Sequence, residues 1–375
     1  MKYIDEFRDG GLARGLADKI ASAVQAGRAY RFMEFCGGHT HAISRHGLVD
    51  LMPPSVRMVH GPGCPVCVLP IGRIDMAIRL ALERGVILCT YADTLRVPAT
   101  DGLSLMKAKA RGADIRMVYS TTDALQVARD NPRREVVFLA IGFETTTPPT
   151  ALAIQSARRE KLDNFSVLCC HVLTPPAIRH ILESPGAGET GSVAIDGLVG
   201  PAHVSTVIGS RPYEFVALDY RRPVVIAGFE PLDVMQAILM LVRQVNEGRA
   251  EVENEFSRAV SREGNRKAQD RVAEVFAVRH EFEWRGLSVV PYSALMIRDT
   301  YAALDAERRF GIEYRSVPDH KACECGAVLR GVKRPQDCRI FAKACTPANP
   351  VGSCMVSSEG ACAAHYSYGR HRDAH

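Results

Sequence analysis

Nine of the twelve cysteines in this 375-residue chain fall in two glycine-rich turns and a C-terminal tail. Outside secreted proteins such a number points to metal or redox chemistry before structural disulfides. The first turn, Cys36-Gly37-Gly38-His39-Thr40-His41, follows the apolar run 31–35 and precedes a helix expected to begin near Thr40. A thiol at a strand's carboxyl end and just before a helix N-terminus lies in a positive field. That field lowers its pKa and favours the thiolate that binds metal or attacks. His39 and His41 add nitrogen ligands or proton carriers; the plain alternative is a glycine turn with incidental polar residues.

The second turn, His60-Gly61-Pro62-Gly63-Cys64-Pro65-Val66-Cys67, also separates a strand from a helix. Cys64 and Cys67 have the spacing of a dithiol that closes into a disulfide, and equally that of two metal ligands. A third strand end reads Gly142-Phe143-Glu144-Thr145-Thr146-Thr147-Pro148-Pro149. Its hydroxyls suit a helix cap or an anion or diatomic ligand, and Glu144 suits a buried proton carrier. In the tail, Cys323-x14-Cys338-x6-Cys345-x16-Cys362 offers four separated thiolates, with Cys325 and Cys354 left over. Zinc ribbons pair their ligands as CxxC, which the tail lacks, so the spacing favours a [4Fe-4S] cluster over zinc.

The elements that position these residues alternate. Strands are expected at 31–35, 56–60, 86–91, 115–119, 136–141, 166–170, 197–199 and 224–227, each short, rich in Val and Ile, and bounded by Gly or Pro. Helices are expected at 74–84, 104–111, 123–129, 150–160, 176–183 and 232–245. Such alternation implies α/β architecture with parallel sheets covered on both faces. The echo between 136–144 and 224–230, both ending in Gly-Phe-Glu, suggests two related α/β units. Residues 247–277 read as charged and helical, and 282–292 as extended around Trp284. The tail has few aliphatics, and cross-linking by a bound cluster would supply what burial does not. Cys89, Cys169 and Cys170 lie in apolar runs and read as core.

The division expected is an N-terminal segment over 1–50, an α/β unit over 51–130 with Cys64 and Cys67, and a second unit over 131–230 with Glu144. A helical region and an Fe–S cluster-binding domain fill 231–375. With 47% apolar and 24% charged residues the chain reads as an ordinary globular protein. No apolar run reaches a membrane span, and charges occupy the N-terminus where a signal peptide needs an apolar core, so the expected location is cytoplasmic. The net charge of +5 is interleaved, and sparse aromatics do not alternate with basic pairs, which argues against nucleic acid.

The two cysteine turns, Gly142-Phe-Glu-Thr-Thr, the tail spacing and Met355-Val-Ser-Ser-Glu-Gly-Ala-Cys362 together resemble the HypD family of [NiFe] hydrogenase maturation proteins over nearly the whole length. The resemblance implies a scaffold rather than a conventional turnover enzyme. With the small partner HypC it would assemble an Fe(CN)2(CO) unit, Fe(II) carrying CN and CO ligands, for the hydrogenase large subunit. Cyanide would arrive from HypE, with HypF upstream. By the same resemblance Cys36 would hold the iron, shared with a cysteine of HypC, and His39 would lie beside it. Cys64 and Cys67 would relay electrons toward a [4Fe-4S] cluster on Cys323, Cys338, Cys345 and Cys362; the resemblance gives Cys325 and Cys354 no role, and they stand as alternates. The competing expectations are a free-standing thiol–disulfide oxidoreductase with a structural cluster, and a zinc-stabilised interaction module.

Overall fold

A computed structural model describes residues 5–184 and 194–370; the first four residues of the charged N-terminus lie outside the described residues. The strands in chain order are β1 (Tyr30–Glu34), β2 (Val56–His60), β3 (Ile87–Thr90), β4 (Ile115–Met117), β5 (Val136–Gly142), β6 (Phe165–His171), β7 (Gly197–Pro201), β8 (Val224–Ala227), β9 (Val252–Asn254), β10 (Phe276–Trp284) and β11 (Ser288–Ile297). Eight of these coincide with the expected strands to within a residue or two, because branched side chains bounded by Gly and Pro suit a pleated, buried surface.

The strands form two parallel sheets, β2-β1-β7-β8-β9 and β4-β3-β5-β6, and an antiparallel hairpin of β10 and β11. The chain leaves the first sheet after β2, builds the whole second sheet, and returns at β7. Helices fill the connections, among them Ile71–Glu83, Thr147–Glu160 and Pro231–Asn246. None among the described residues is long and apolar enough to cross a membrane.

Residues 247–277 depart from expectation. Only Arg266–Val275 is helical, and Val252–Asn254 pairs instead with β8 as an edge strand. All three of its residues are half-buried, so no alternation of apolar and polar residues marks it. The extended stretch around Trp284 is the hairpin, where the buried indole N–H donates to Ser293 Oγ at 2.7 Å. The echoed Gly-Phe-Glu segments end β5 and β8, strands of different sheets, each followed by a helix with proline in its first turn.

Alternation along the strands sorts the core into layers. Tyr30, Phe32, Val199 and Val225 face helix Pro231–Asn246, while Met33, Leu198, Val224 and Ile226 point the other way. That second face shares one continuous apolar core with Leu88, Val137, Leu139 and Leu168 of the other sheet. Cys64, Cys67, Cys325, Cys345, Cys354 and Cys362 belong to the same core. The disulfide turn and the tail are thus packed together by burial. Cys89, Cys169 and Cys170 are buried strand residues, as their apolar surroundings suggested.

Candidate functional site

Parallel pairing of β1 with β2 places Glu34 opposite His60, so the two chain segments leave the sheet side by side. Cys36 follows at once and is itself the cap of helix Gly37–Arg45, three residues earlier than the expected start near Thr40. The Gly37 N–H donates to Gly63 C=O at 3.1 Å. A Cβ on Gly63 would stand about 2.5 Å from Cα of Cys36 and closer still to its nitrogen. Cys64 caps helix Pro65–Val68 and accepts from the Cys67 N–H at 3.2 Å, and the two cysteines are joined in a disulfide. Both are buried, at 3% and 0% exposure.

Glu34 organises this junction, and the sequence reading passed over it. Fully buried at the end of β1, it accepts from the Cys36 N–H at 2.9 Å, from the Thr40 hydroxyl, and from His60 Nδ1 at 2.8 Å. A carboxylate inside an apolar strand, two residues before a candidate thiol, was the signal available. Glu359, from the tail, packs over Gly37, whose Cβ would lie 2.6 Å from its Oε2. Together these overturn one expectation. Burial, then the charges of Glu359 and Glu34, push the Cys36 thiol well above its ordinary value, despite the backbone N–H groups of Gly38 and His39 that favour the thiolate. The helix field loses because it acts on a group only 8% exposed, where desolvation dominates.

His39 and His41 go separate ways. His39 is fully buried, with Nε2 at 3.0 and 2.9 Å from the carbonyl oxygens of Ala227 and Gly228. Since carbonyls only accept, Nε2 carries the proton and Nδ1 is a bare acceptor, buried and without a partner. Burial holds this ring below its usual pKa, which keeps it neutral. His41 instead turns toward the tail, with Nδ1 3.4 Å from Ser358 C=O and its ring edge-on to Tyr368. Phe229 stacks on His39 at 4.8 Å and on His203 at 3.8 Å.

At the third strand end the threonines hold the turn rather than cap the helix. Thr146 Oγ1 donates to the carbonyls of Phe143 at 3.0 Å and Ile141 at 3.2 Å, and Thr147 Oγ1 donates to Glu144 C=O. Gly142 sits at φ +133°, in the region only glycine adopts freely, with Thr146 where a Cβ would be. Glu144 is buried, accepts from the Thr174 N–H at 2.8 Å and its hydroxyl at 2.9 Å, and is pushed up to about 7 by desolvation. Burial first, then the charge of Glu144, raises the Tyr213 hydroxyl well above its usual pKa, and Ser205 Oγ donates to it at 3.4 Å.

Beside it, His171 bonds Thr150 Oγ1 at 2.9 Å and is held down to about 4 by burial. A histidine depressed in the fold stabilises above its unfolded value near 6.5 and loses that contribution as pH falls through 4, on the order of 3 kcal/mol. Thermal melts at pH 7.5 and 4.5 are expected to show a larger acid loss in the native chain than in His171→Gln. Equal losses would mean the ring protonates without cost.

In the tail, Cys323, Cys338, Cys345 and Cys362 line one small cavity with Cys325, walled by Val328, Ile340, Phe341 and Met355. Cys354 lies outside that lining but is a free thiol, fully buried in the same core and neighbouring Cys325 and Cys362. A Cβ on Gly352 would lie 2.5 Å from Cys325 Sγ and closer to Cys323. The soft donor set and apolar wall suit a thiolate-held cluster. No group of three or more His, Cys, Asp or Glu among the described residues is set to grip a single metal ion. The buried Ser353 hydroxyl donates to Cys67 C=O at 2.7 Å, tying tail to disulfide.

The family model described as HypD, hydrogenase formation hypA family, matches residues 11–369. The chain is 70% identical over 373 residues to hydrogenase maturation factor HypD of Cupriavidus necator, covering all of this chain and 98% of that one. It is 51% identical over 383 residues to the HypD factor of Rhodobacter capsulatus, with both chains fully covered. The HypD factor of Escherichia coli is 45% identical over 373 residues, 98% of each chain.

Proposed function

As this chain belongs to the HypD family of hydrogenase maturation factors, we propose that it is the scaffold on which an Fe(CN)2(CO) unit is assembled, with Cys36 as the protein thiolate on iron. The observation that carries this reading is the contact of the Cys36 loop with the disulfide loop, through the Gly37–Gly63 hydrogen bond and the close approach of Gly63 to Cys36. An iron anchor and a two-electron thiol couple then share one buried place.

Each residue has a task in that arrangement. The Cys36 thiol is protonated at rest, and Fe(II) must displace its proton, as coordinated thiols are deprotonated outright. The bare Nδ1 of His39, in the first turn after Cys36, is the acceptor suited to that proton or to the metal itself. Glu34 fixes the loop by holding the Cys36 N–H. Glu144, pushed up to about 7 by burial and held by Thr174, serves as a proton carrier. Cys64 and Cys67 supply two electrons when reduced and recover the disulfide. Cys323, Cys338, Cys345 and Cys362 would hold a [4Fe-4S] cluster, which supplies or accepts single electrons when bound.

In this reading HypC shares the iron, HypE delivers cyanide made with HypF, and the finished unit leaves for the hydrogenase large subunit. A free-standing oxidoreductase suits the site less well, because a disulfide at 3% and 0% exposure offers a protein substrate no sulfur to attack. Infrared spectroscopy of the chain purified with HypC tests the proposal. Bands of bound CN and CO are expected in the native complex and absent from Cys36→Ala. Their persistence in that variant would sink the anchor, and their absence from the native complex would sink the scaffold.

A further inference from the structure

The first sheet reverses direction between β1 and β7: from β1 the chain proceeds to β2 on one side, and from β7 to β8 on the other. At such a point the loops leaving adjacent carboxyl ends diverge and open a crevice. The loop after β1 carries Cys36, and the helix that follows β7 directly, Ala202–Ile208, carries His203. His203 is exposed, unlike the buried His39. Its ring stacks on Phe229 at 3.8 Å and 30°. Phe229 in turn stacks on His39 and lies on Gly38, whose Cβ would meet ring carbons at 2.7 and 2.8 Å. His203 is thus one ring away from the first turn after Cys36, held in plane by stacking. Neither of its ring nitrogens has a hydrogen-bond partner among the described residues, whereas the N–H of His39 is taken by two carbonyls.

We infer that His203 is the side chain that meets the cargo from the open side of the crevice, donating a ring N–H to the nitrogen end of an iron-bound cyanide. A coordinated cyanide presents a lone pair on nitrogen and needs a donor. Glu34 is an acceptor already occupied by three donors, and Glu359 is the other carboxyl group at Cys36. A stacked imidazole with free nitrogens supplies the missing N–H in a fixed orientation. This rests on the scaffold reading and adds a ligand-contacting residue to it.

Infrared spectra of the complex with HypC, prepared with native chain, His203→Ala, His203→Gln and Glu359→Gln, provide the test. In His203→Ala the CN bands are expected to move to lower wavenumber with the CO band little changed. The yield of loaded complex is expected to fall about tenfold, the loss of one ordinary hydrogen bond. His203→Gln, whose amide keeps an N–H, is expected to recover part of both. Because His203 is exposed, the thermal midpoint of the iron-free chain serves as a folding control and is expected to stay unchanged. Unmoved CN bands and unchanged yield in His203→Ala would overturn the inference, as would bands that move only in Glu359→Gln. A native complex without any CN or CO band would instead overturn the scaffold reading, and this inference with it.

Discussion

Alanine at Gly63 is expected to abolish iron loading at Cys36 while leaving the chain folded. The added carbon falls on the backbone of Cys36, not on the flexible end of a side chain. Relief requires the two loops to part, which breaks the Gly37–Gly63 hydrogen bond and moves the thiol away from the disulfide. Overpacking of this kind costs about 1–3 kcal/mol, too little to unfold a chain with this much shared core. The effect should therefore appear in the site and not in the fold. The complex is expected to lose its CN and CO bands, with a thermal midpoint lowered by a few degrees. Full loading in Gly63→Ala would show that the approach of the two loops is incidental.

The second large effect is expected in the tail. Removing Cys345 takes away a thiol that faces the cysteine-lined cavity from within the shared core. In anaerobically purified protein, iron and sulfide are expected to fall from about four of each per chain to background, with loss of the visible absorption of the cluster. Among its described residues the tail carries only short helical segments, such as Cys325–Leu329 and Ala361–Ala364, and it packs on the disulfide through Ser353. Loss of the cross-link that the proposed cluster would provide is expected to lower the thermal midpoint by about 5–15 °C, several kcal/mol at about 2–4 °C each. Cys325→Ala is the informative partner, since Cys325 lines the same cavity but is surplus to the four spaced ligands. It is expected to retain its iron. One zinc and no colour in the native protein would replace the cluster with a structural zinc site.

Local signals made much of this legible. Val- and Ile-rich runs between Gly and Pro located β1 to β8, because burial and backbone preference act within a few residues. Cysteine spacing singled out the four tail thiols that line one cavity, although nothing local revealed that Cys325 faces the same space. The edge strand Val252–Asn254 escaped because its half-buried residues carry no pattern until β8 pairs with them.

What the sequence determined by itself is which atoms are present: a thiol at a strand end, a dithiol at another, soft donors in the tail. Tertiary structure decided their states and neighbours. Pairing of β1 with β2 brought Cys36 against Gly63, and pairing of β1 with β7 brought the His203 segment to the same crevice. The Cys36 thiol, expected to be acidified by its helix, is pushed up because burial and Glu359, from the far end of the chain, outweigh a short helix's field. His39 turned to the β8 end and His41 to the tail because their partners, the Gly228 and Ser358 carbonyls, come from distant segments. Residue type is a local property, whereas desolvation and charge depend on everything folding brings within a few ångströms.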